Sequence, residues 1–587
     1  DKYTVTGNGG GARVEIESSN TTANKLYVLS ELDQFDPAIP TIEVKLLVTT
    51  NAFATAPTVL SLPAGNETRE TTYGFTGAQA FYDMMIESDP TNDNILYVGG
   101  IDLYRSTNGG STWTTISNWT TNVHSDQHAM AFKPGTANTG IFGNDGGVYF
   151  TSNLSSANSA TSRNNGFNVT QFHSVSVAPK NAVSGLTNDY YMAGAQDNGS
   201  NYFANKTAGI QSSVEIQGGD GGPTVADEGA DKYFVTSYVY NYNINYRTTA
   251  GATRRLDADA SSDSNGAFYP AMTLDSGNDI LYTDYSDATY LIRRYRNIKG
   301  PTAVNRASIT NALLTNRPTA LKVSPFGKTL YAGTRNGRLL RITNPDGLAA
   351  WTDITGPSFV GSISDVEFGA SEDIIYVTFH NYGVVSIWYT ANGLSATPTW
   401  VNKEGNFPDI PVKCILQNPL NANEVIIGTD LGVWYTNTFS NASPTWNQSY
   451  NGMTNVKVSD LDLQVDSGYP NSYPAASYTV YAATYGRGVF SGTFNNLVLS
   501  NDSFTNNSRG IKVYPNPSNG IVNLSIADFT GNLNVQLVDI NGRSVYTSNI
   551  SDFSIEKSID VSKLQSGVYI LKLEGENLSY SEKIVLK

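Results

Sequence analysis

The chain has 587 residues, of which 40% are hydrophobic and 15% are charged, and its formal net charge is -15. This apolar content excludes a disordered chain, and the length exceeds that of one ordinary domain. The acidic balance, with no concentrated basic segment, excludes a nucleic-acid partner, and no apolar run reaches membrane-spanning length.

A short alternating apolar run followed by a turn recurs along the first 495 residues. Clear copies begin at Val14, Met84, Met130, Val175, Met272, Leu321, Val366, Ile415 and Leu461, with a weaker copy near Thr224. After the first interval, the copies are 45–49 residues apart. A second and a third strand-like run follow in most copies, as ILYVGG and GVYFTSN do.

Groups of about four short strands in each 40–50 residues are typical of β-propeller blades. We therefore predict an all-β fold, with a multi-bladed β-propeller of about ten blades at residues 1–495. The spacing leaves open whether the blades close as one ten-bladed ring or as a seven-bladed ring plus part of another. The longer first interval predicts an insertion at 31–73.

One hairpin carries a more specific pattern, the eight residues STNGGSTW from Ser106 to Trp113. It resembles the Asp-box, Ser-x-Asp-x-Gly-x-x-Trp, with Asn108 in the place of Asp. The resemblance implies a turn between the third and fourth strands of a blade, with a structural role. It is shared by sialidase-, xyloglucanase- and sortilin-like propellers.

The propeller arrangement predicts where polar residues meet. In a blade, the start of the innermost strand and the turn between the second and third strands lie at the same rim. The residues that this places at the rim are Asp102, His124, Asp126, His128, Asn144, Asp145, Gln196, Asp197, Asn198, Asp220, Arg335, Asn336, Asp430 and Arg487. His173 also lies at the start of an innermost strand, whereas His380 lies in a turn where we expect it to be solvated.

The rim residues have several interpretations. His124, Asp126 and His128 are spaced i, i+2, i+4, which would place them on one side of a strand, either as metal ligands or as a hydrogen-bonded histidine pair at the edge of a blade. Calcium is a second metal hypothesis, wherever Asp side chains and carbonyl groups cluster. Asp-Gly and Asn-Gly are also the commonest tight-turn pairs, so the NDGG segment around Asp145 and the QDNG segment around Asp197 are equally explained as turns.

Over residues 80–495 the chain resembles secreted BNR-repeat propellers of the sortilin and xyloglucanase-like group. The segments that carry the resemblance are HSDQHAM, GNDGG, GAQDNGS, GGDGG and ATYGRGVF. Two functions follow from it. The first is non-catalytic binding of glycans, proteins or surfaces, and the second is glycoside hydrolysis by two carboxylates among Asp126, Asp145, Asp197 and Asp220. The sialidase arginine triad and the xyloglucanase aspartate contexts are not readable in the sequence.

Cys414 lies in the strand-like run VKCILQ, and it is the chain's one cysteine. A single cysteine excludes an intrachain disulfide and a cysteine-based zinc cluster. We expect a buried, unreactive thiol.

The last part of the chain has a different pattern. A polar linker is predicted at 496–511, followed at 512–587 by alternating strands with NG, SG and PNP turns, which predict a small Ig-like β-sandwich. The segment resembles the C-terminal sorting domain of type IX secretion cargo. The matching residues are Tyr514, Pro515, Asn516, Pro517, Gly520, Asn541, Gly542, Gly567, Tyr569 and Lys583.

This second resemblance implies export to the cell surface or the medium. The implied partners are the translocon, shuttle and sortase components of the type IX system. An ordinary adhesive Ig-like domain is the alternative.

Overall fold

A computed structural model describes residues 13–587 except 33–43, 180–188, 207–208, 211, 230–231, 258–264, 450–451, 454, 466–477, 495–510, 540–542 and 576–577. The chain divides into two compact units. The first comprises residues 1–447 and 455–492, and the second comprises 448–454 and 493–587. Of the linker predicted at 496–511, the structure describes residue 511 alone.

Three four-stranded antiparallel sheets open the first unit. Sheet 1 contains β1 (Val14–Ser18), β2 (Leu26–Glu31), β3 (Val44–Thr49) and β4 (Thr58–Val59). Sheet 2 follows the short helix α1 (Thr68–Tyr73) and contains β5 (Met85–Ser88), β6 (Leu96–Gly99), β7 (Leu103–Ser106) and β8 (Thr114–Ser117). Sheet 3 contains β9 (Gln127–Phe132), β10 (Gly140–Asn144), β11 (Gly147–Thr151) and β12 (Thr161–Ser162).

Seven further sheets follow, and their strands are again ordered as in the chain. Sheet 4 contains β13 (Phe172–Val177), β14 (Asp189–Ala195), β15 (Gly199–Lys206) and β16 (Val214–Gln217). Sheet 5 contains β17 (Gly221–Ala226), β18 (Tyr233–Tyr238), β19 (Asn245–Thr248) and β20 (Thr253–Arg255), with a 3-10 turn at Val239–Asn241. Sheet 6 contains β21 (Met272–Asp275), β22 (Ile280–Asp284), β23 (Ile292–Arg296) and β24 (Asn305–Ile309).

Of the remaining four sheets of this unit, three have four described strands and the last has three. Sheet 7 contains β25 (Pro318–Val323), β26 (Thr329–Thr334), β27 (Leu339–Thr343) and β28 (Ala350–Asp353). Sheet 8 contains β29 (Ile363–Phe368), β30 (Ile375–Phe379), β31 (Ile387–Thr390) and β32 (Val401–Asn402). Sheet 9 contains β33 (Val412–Asn418), β34 (Asn421–Thr429), β35 (Gly432–Thr436) and β36 (Asn447–Ser449), and sheet 10 contains β37 (Val458–Gln464), β38 (Thr479–Thr484) and β39 (Gly488–Thr493).

The ten copies of the repeat coincide with the first strands of the ten sheets. The all-β fold with many four-stranded antiparallel sheets is consistent with a β-propeller. The core lies between neighbouring sheets, because each sheet has apolar residues on both faces. Sheets 8 and 9, for example, enclose Tyr376, Ile387, Ile415 and Ile427. Cys414 is buried in β33, as expected.

The first strands of sheets 4 to 10 contact one another in order, and β37 contacts β13. At this seam, the backbone N–H groups of Val175 and Val177 donate to Asp460 and Asp462 at 3.0 and 2.7 Å. Seven consecutive sheets therefore form a closed circle of contacts. In sheets 1 to 3, β1 contacts β5 and β5 contacts β9.

The predicted insertion at 31–73 needs correction. The third and fourth strands of sheet 1, β3 and β4, fall inside this range, as does α1. The part at 33–43 lies outside the described residues. The long first interval thus reflects extra residues on both sides of β3 and β4.

The Asp-box-like segment forms the turn between β7 and β8. Asn108 Oδ1 accepts from the Ser106 hydroxyl at 3.0 Å and from Thr112 N–H at 2.9 Å, and Trp113 Nε1 donates to Ser61 O at 2.9 Å. The turn after β31 repeats this plan over a longer loop, since Asn392 Oδ1 accepts from Thr390 and Thr399. These side chains fix the turns and the spacing of neighbouring sheets.

The second unit is built on one five-stranded antiparallel sheet. It contains β40 (Lys512–Tyr514), β41 (Ile521–Val538), β42 (Ser544–Asp560), β43 (Gly567–Gly575) and β44 (Leu578–Leu586), in the order β40-β41-β43-β44 with β42 also paired to β41. Both halves of β41 share one core, which contains Val522, Leu524, Leu533 and Val535. The predicted motif residues Asn541 and Gly542 lie outside the described residues.

The other predicted motif residues of the sorting domain have local roles. Asn516 joins the first turn to the last strand, because its Nδ2 donates to Lys583 O at 2.7 Å and its Oδ1 accepts from Val585 N–H at 3.0 Å. Tyr514 donates to Glu556, and Tyr569 donates to Gln565 O. Gly520 has a φ of 117°, and a Cβ there would lie 2.7 Å from Ser562 Cβ. The peptide bonds before Pro515 and Pro517 are cis.

We expect Asn516→Ala to destabilise the second unit by about 1–3 kcal/mol, because it removes two hydrogen bonds to the backbone of β44. Hydrogen exchange of the β44 amides, measured on the full chain, tests this expectation. The control is Asn534→Ala, since among the described residues the Asn534 side chain accepts a hydrogen bond from the Asn549 side chain and makes none with the backbone of β44. Equal exchange of β44 in the two variants would contradict the role of Asn516.

Candidate functional site

The HSDQH segment enters sheet 3 with an irregular backbone. β9 begins only at Gln127, and Asp126 has a φ of 65°. The expected i, i+2, i+4 alignment on one side of a strand is therefore absent. His124 Nε2 donates to Asp197 O at 2.7 Å, and His124 packs directly on Gly146, where a Cβ would collide with its ring.

Asp145 lies in the turn between β10 and β11 and accepts from two side chains of other segments. His128 Nε2 donates to its Oδ1 at 2.6 Å, and the Tyr82 hydroxyl lies 2.9 Å from both carboxylate oxygens. The rings of Tyr82 and His128 meet edge to face, with centroids 4.9 Å apart. These contacts fix the orientation of the Asp145 carboxylate.

Asp126 is held by the segment that follows α1. Gln79 Nε2 donates to Asp126 Oδ1 at 2.7 Å and to Asp83 Oδ2 at 3.0 Å. Burial, with the charge of Asp145, raises the pKa of Asp126 to about 6. Burial also raises the pKa of Asp83 well above its usual range.

Asp197 lies in the turn between β14 and β15 of sheet 4 and has a φ of 60°. Its N–H donates to Asp220 Oδ1 at 3.3 Å. Burial, followed by the charges of Asp145 and Asp220, raises the pKa of Asp197 to about 8. Asn198 Nδ2 donates to Asp145 O at 2.9 Å, which ties this turn of sheet 4 to that of sheet 3.

The structure thus brings together three of the four predicted carboxylates. One oxygen each of Asp126, Asp145 and Asp197 lie within 4.8 Å of one another. We call these three residues the acidic trio. Asp220 borders the trio through the Asp197 N–H. Such a group of like charges can bind a cation, accept hydrogen bonds from hydroxyl groups, or transfer protons.

A row of rings that the sequence did not predict lies beside the acidic trio. Tyr485, His173, Tyr269, Phe268 and Tyr240 contact one another in this order, with centroids 3.9–5.4 Å apart. We call these residues the aromatic row. The Tyr269 hydroxyl donates to Gln196 Oε1 at 3.0 Å, next to Asp197.

The ends of the aromatic row are open to solvent. Tyr485 is 43% exposed and Tyr240 is 39% exposed. Burial, with the charges of Lys413 and Lys457, lowers the pKa of His173 to about 4, so its ring is neutral near pH 7. The row therefore presents uncharged ring faces.

The other predicted rim residues have distinct surroundings. Asn144 is buried and donates to Gln127 Oε1, which fits a turn residue. Arg335 and Arg487 lie in exposed turns of sheets 7 and 10, and among the described contacts no hydrogen bond or ion pair joins their side chains to the acidic trio. His380 is not simply solvated, because its Nε2 lies 3.1 Å from Asp430 Oδ1.

Gln79, Tyr82 and Asp83 were missed because they lie in the segment between α1 and β5, outside the repeat. The repeat predicts only positions that recur in each sheet. Two sequence signals covered part of the aromatic row: the position of His173 at the start of an innermost strand, and the Tyr-rich run YVYNYNINY from Tyr238 to Tyr246.

The family model described as a secretion system C-terminal sorting domain matches residues 512–587. The chain is therefore type IX secretion cargo, and the domain indicates interaction with that machinery and export to the cell surface or the extracellular space. No curated protein matches the chain. None of the described helices is long and apolar enough to cross a membrane.

Proposed function

We propose that this exported protein binds a glycan at the acidic trio and the aromatic row. The observation that carries the proposal is the side-by-side placement of the two groups, linked by Gln196 and Tyr269. Ring faces stack on the apolar faces of sugars, whereas fixed carboxylates accept hydrogen bonds from sugar hydroxyls. Together they form a surface suited to an extended, hydroxyl-rich polymer.

The architecture that supports this surface is part of the proposal. We infer a seven-bladed propeller made of sheets 4 to 10, with sheets 1 to 3 as three further blades. The side-chain-stabilised turn at Ser106–Trp113 supports a BNR or Asp-box ancestry of the sortilin and xyloglucanase-like type. The acidic trio then lies where sheets 3 and 4 meet, since Asp145 and Asp197 come from their equivalent turns.

We expect the double variant Tyr240→Ala, Tyr485→Ala to bind glycans about tenfold more weakly, because each lost stacking contact costs about 0.5–1.5 kcal/mol. A glycan array identifies the ligand of the full chain, and calorimetry then measures its affinity. The control is Tyr382→Ala, a 65% exposed tyrosine outside the aromatic row, in the turn of sheet 8 that corresponds to that of Tyr485. If the chain binds no glycan, or if both variants bind as the unmodified chain does, the proposal is wrong.

Glycoside hydrolysis is the second candidate, and the spacing of the acidic trio favours it. Retaining glycosidases have carboxyl groups about 5–5.5 Å apart, whereas inverting enzymes need about 6.5–9.5 Å. Oxygens within 4.8 Å of one another are compatible with the retaining spacing. Mass spectrometry of glycans incubated with the chain decides between binding and hydrolysis, with Asp145→Asn, Asp197→Asn as the inactive comparison.

A further inference from the structure

Basic residues lie around one end of the aromatic row, the end at Tyr485. The Tyr485 N–H donates to Lys457 O at 2.9 Å, so the backbone of Lys457 lies directly beside it, at the entry to β37. Arg487 is exposed in the same turn as Tyr485, between β38 and β39. Lys413 is the second residue of β33, the first strand of sheet 9, and β33 contacts β37. Two adjacent sheets therefore supply three cations to this part of the rim.

Both lysines also lie close to the histidine of the aromatic row. Burial lowers the pKa of His173, and the charges of Lys413 and Lys457 lower it further. The same two charges act on His380, whose pKa burial also lowers. Because charges in water are screened beyond about 10 Å, both ammonium groups are near the His173 ring. A ligand that covers this ring is therefore within their reach.

The positive charges at this end have little compensation. Asp430 Oδ1 lies 3.4 Å from Lys457 Nζ and forms an ion pair with it. Lys413 also acts on Asp460, but that carboxylate is buried and already accepts two backbone N–H groups. Among the described residues, no ion pair or side-chain hydrogen bond engages Lys413 or Arg487. This part of the rim is therefore positive, in a chain whose net charge is -15.

The middle of the aromatic row has the opposite charge beside it. The Tyr269 hydroxyl donates to Gln196, which precedes Asp197 of the acidic trio. Burial raises the pKa of Tyr269, and the nearby carboxylate of Asp220 raises it further. A negative group on a ligand that lies along the row is thus attracted at Tyr485, whereas the same group is repelled near Tyr269.

We propose that the glycan bound at the aromatic row is acidic, and that Lys413, Lys457 and Arg487 bind its carboxylate or sulfate group beside Tyr485. This inference rests on the proposed glycan site and adds the class of its ligand. Ammonium and guanidinium groups form short, charge-assisted hydrogen bonds with either anion. The uncharged rings of His173 and Tyr485 stack on the sugar ring that carries the anion, and the acidic trio accepts hydroxyl groups of a neighbouring sugar.

The test is a glycan array probed with the full chain at low ionic strength. Polygalacturonate and hyaluronan carry carboxylates, carrageenan and dextran sulfate carry sulfates, and dextran and mannan are neutral. We expect binding to acidic glycans, weakened by added NaCl because salt screens the contacts. The class that binds shows whether the anion is a carboxylate or a sulfate. The carboxyl-reduced or desulfated form of the same glycan should bind about tenfold more weakly.

The double variant Lys413→Met, Lys457→Met should bind the acidic glycan about tenfold more weakly, because it keeps both aliphatic chains but removes both charges. Lys413→Arg, Lys457→Arg keeps the charges and should bind as the unmodified chain does. The matched control is Lys133→Met, Lys328→Met, which removes two charges from exposed turns between the first and second strands of sheets 3 and 7. It should bind as the unmodified chain does.

Arg487→Gln gives a second reading that does not depend on the folding of the lysine variants, because Arg487 is exposed in a turn. It should weaken binding a few-fold. Binding confined to neutral glycans, equal affinity for the acidic glycan and its neutral form, or equal affinity of the lysine variant and its control would overturn the acidic ligand and leave glycan binding standing. Absence of binding to every glycan on the array would remove the proposed function and this inference together.

Discussion

Removal of residues 512–587 is expected to abolish export, so that the truncated chain stays on the periplasmic side of the outer membrane. These residues match the sorting-domain family and form a sheet with a core of its own. Their loss removes the part that the secretion machinery recognises, whereas the ten sheets of the first unit keep their own cores. Cell fractionation with an antibody against the first unit measures the result.

The control for this deletion is a full chain that carries Asn534→Ala, which changes an exposed side chain of the same domain. It should reach the surface or the medium like the unmodified protein. A reporter fused to residues 511–587 should also be exported. Surface exposure of the truncated chain would show that another segment directs export.

The repeat was predictable because each innermost strand alternates apolar and polar residues and ends in a turn. MTLD at Met272–Asp275 and VKCILQ around Cys414 both fall in the strands that the pattern indicated. β3, Val44–Thr49, is as apolar as these, but the irregular spacing around it predicts an insertion in place of a strand. Period alone therefore located strands only where the intervals were regular.

The site was predictable only in part, for a related reason. Asp145 and Asp197 occupy equivalent turns, so the repeat placed them at one rim. The φ of 65° at Asp126 follows from tertiary contacts, such as the Asp126 N–H donating to Ile101 O, and not from the local pattern. The aromatic row takes its five rings from β13, from turns of sheets 5 and 10, and from the connection between sheets 5 and 6, so no one segment contains the signal for the whole row.

Closure of the ring also depends on contacts between distant residues. Asp460 and Asp462 lie on the innermost strand of sheet 10, and each carboxylate accepts one N–H from β13 and one from its own strand. The partners across this seam are 285 residues apart in the chain. Asp365 makes the same pair of contacts between sheets 8 and 9, which are neighbours in the chain. The contacts at this seam are therefore the same as those between sheets that are neighbours in the chain. They could not be predicted from the sequence, because the partners are far apart in it.

We expect the double variant Asp460→Ala, Asp462→Ala to lower the free energy of unfolding of the ring by about 2–6 kcal/mol, since two buried N–H groups of β13 lose their acceptors. Urea denaturation near pH 5 measures this loss. The control is Asp287→Ala, an exposed turn residue in sheet 6. Equal stability of the two variants would show that packing alone closes the ring.

The same variant should also flatten the pH dependence of stability. Burial raises the pKa of both Asp460 and Asp462 to about 7, although the hydrogen bonds from β13 and the nearby charges of Lys413 and Lys322 lower it. In the unfolded chain the pKa of both groups is about 3.9. Between this pH and pH 7, the folded state therefore binds protons more tightly than the unfolded state does. The stability that they contribute is then complete below pH 4 and is lost as the pH rises through 7.

The unmodified ring should therefore be more stable at pH 5 than at pH 8. In the double variant, the difference in the free energy of unfolding between pH 5 and pH 8 should be smaller. A pH profile that is unchanged by the two substitutions would place the titrating groups elsewhere.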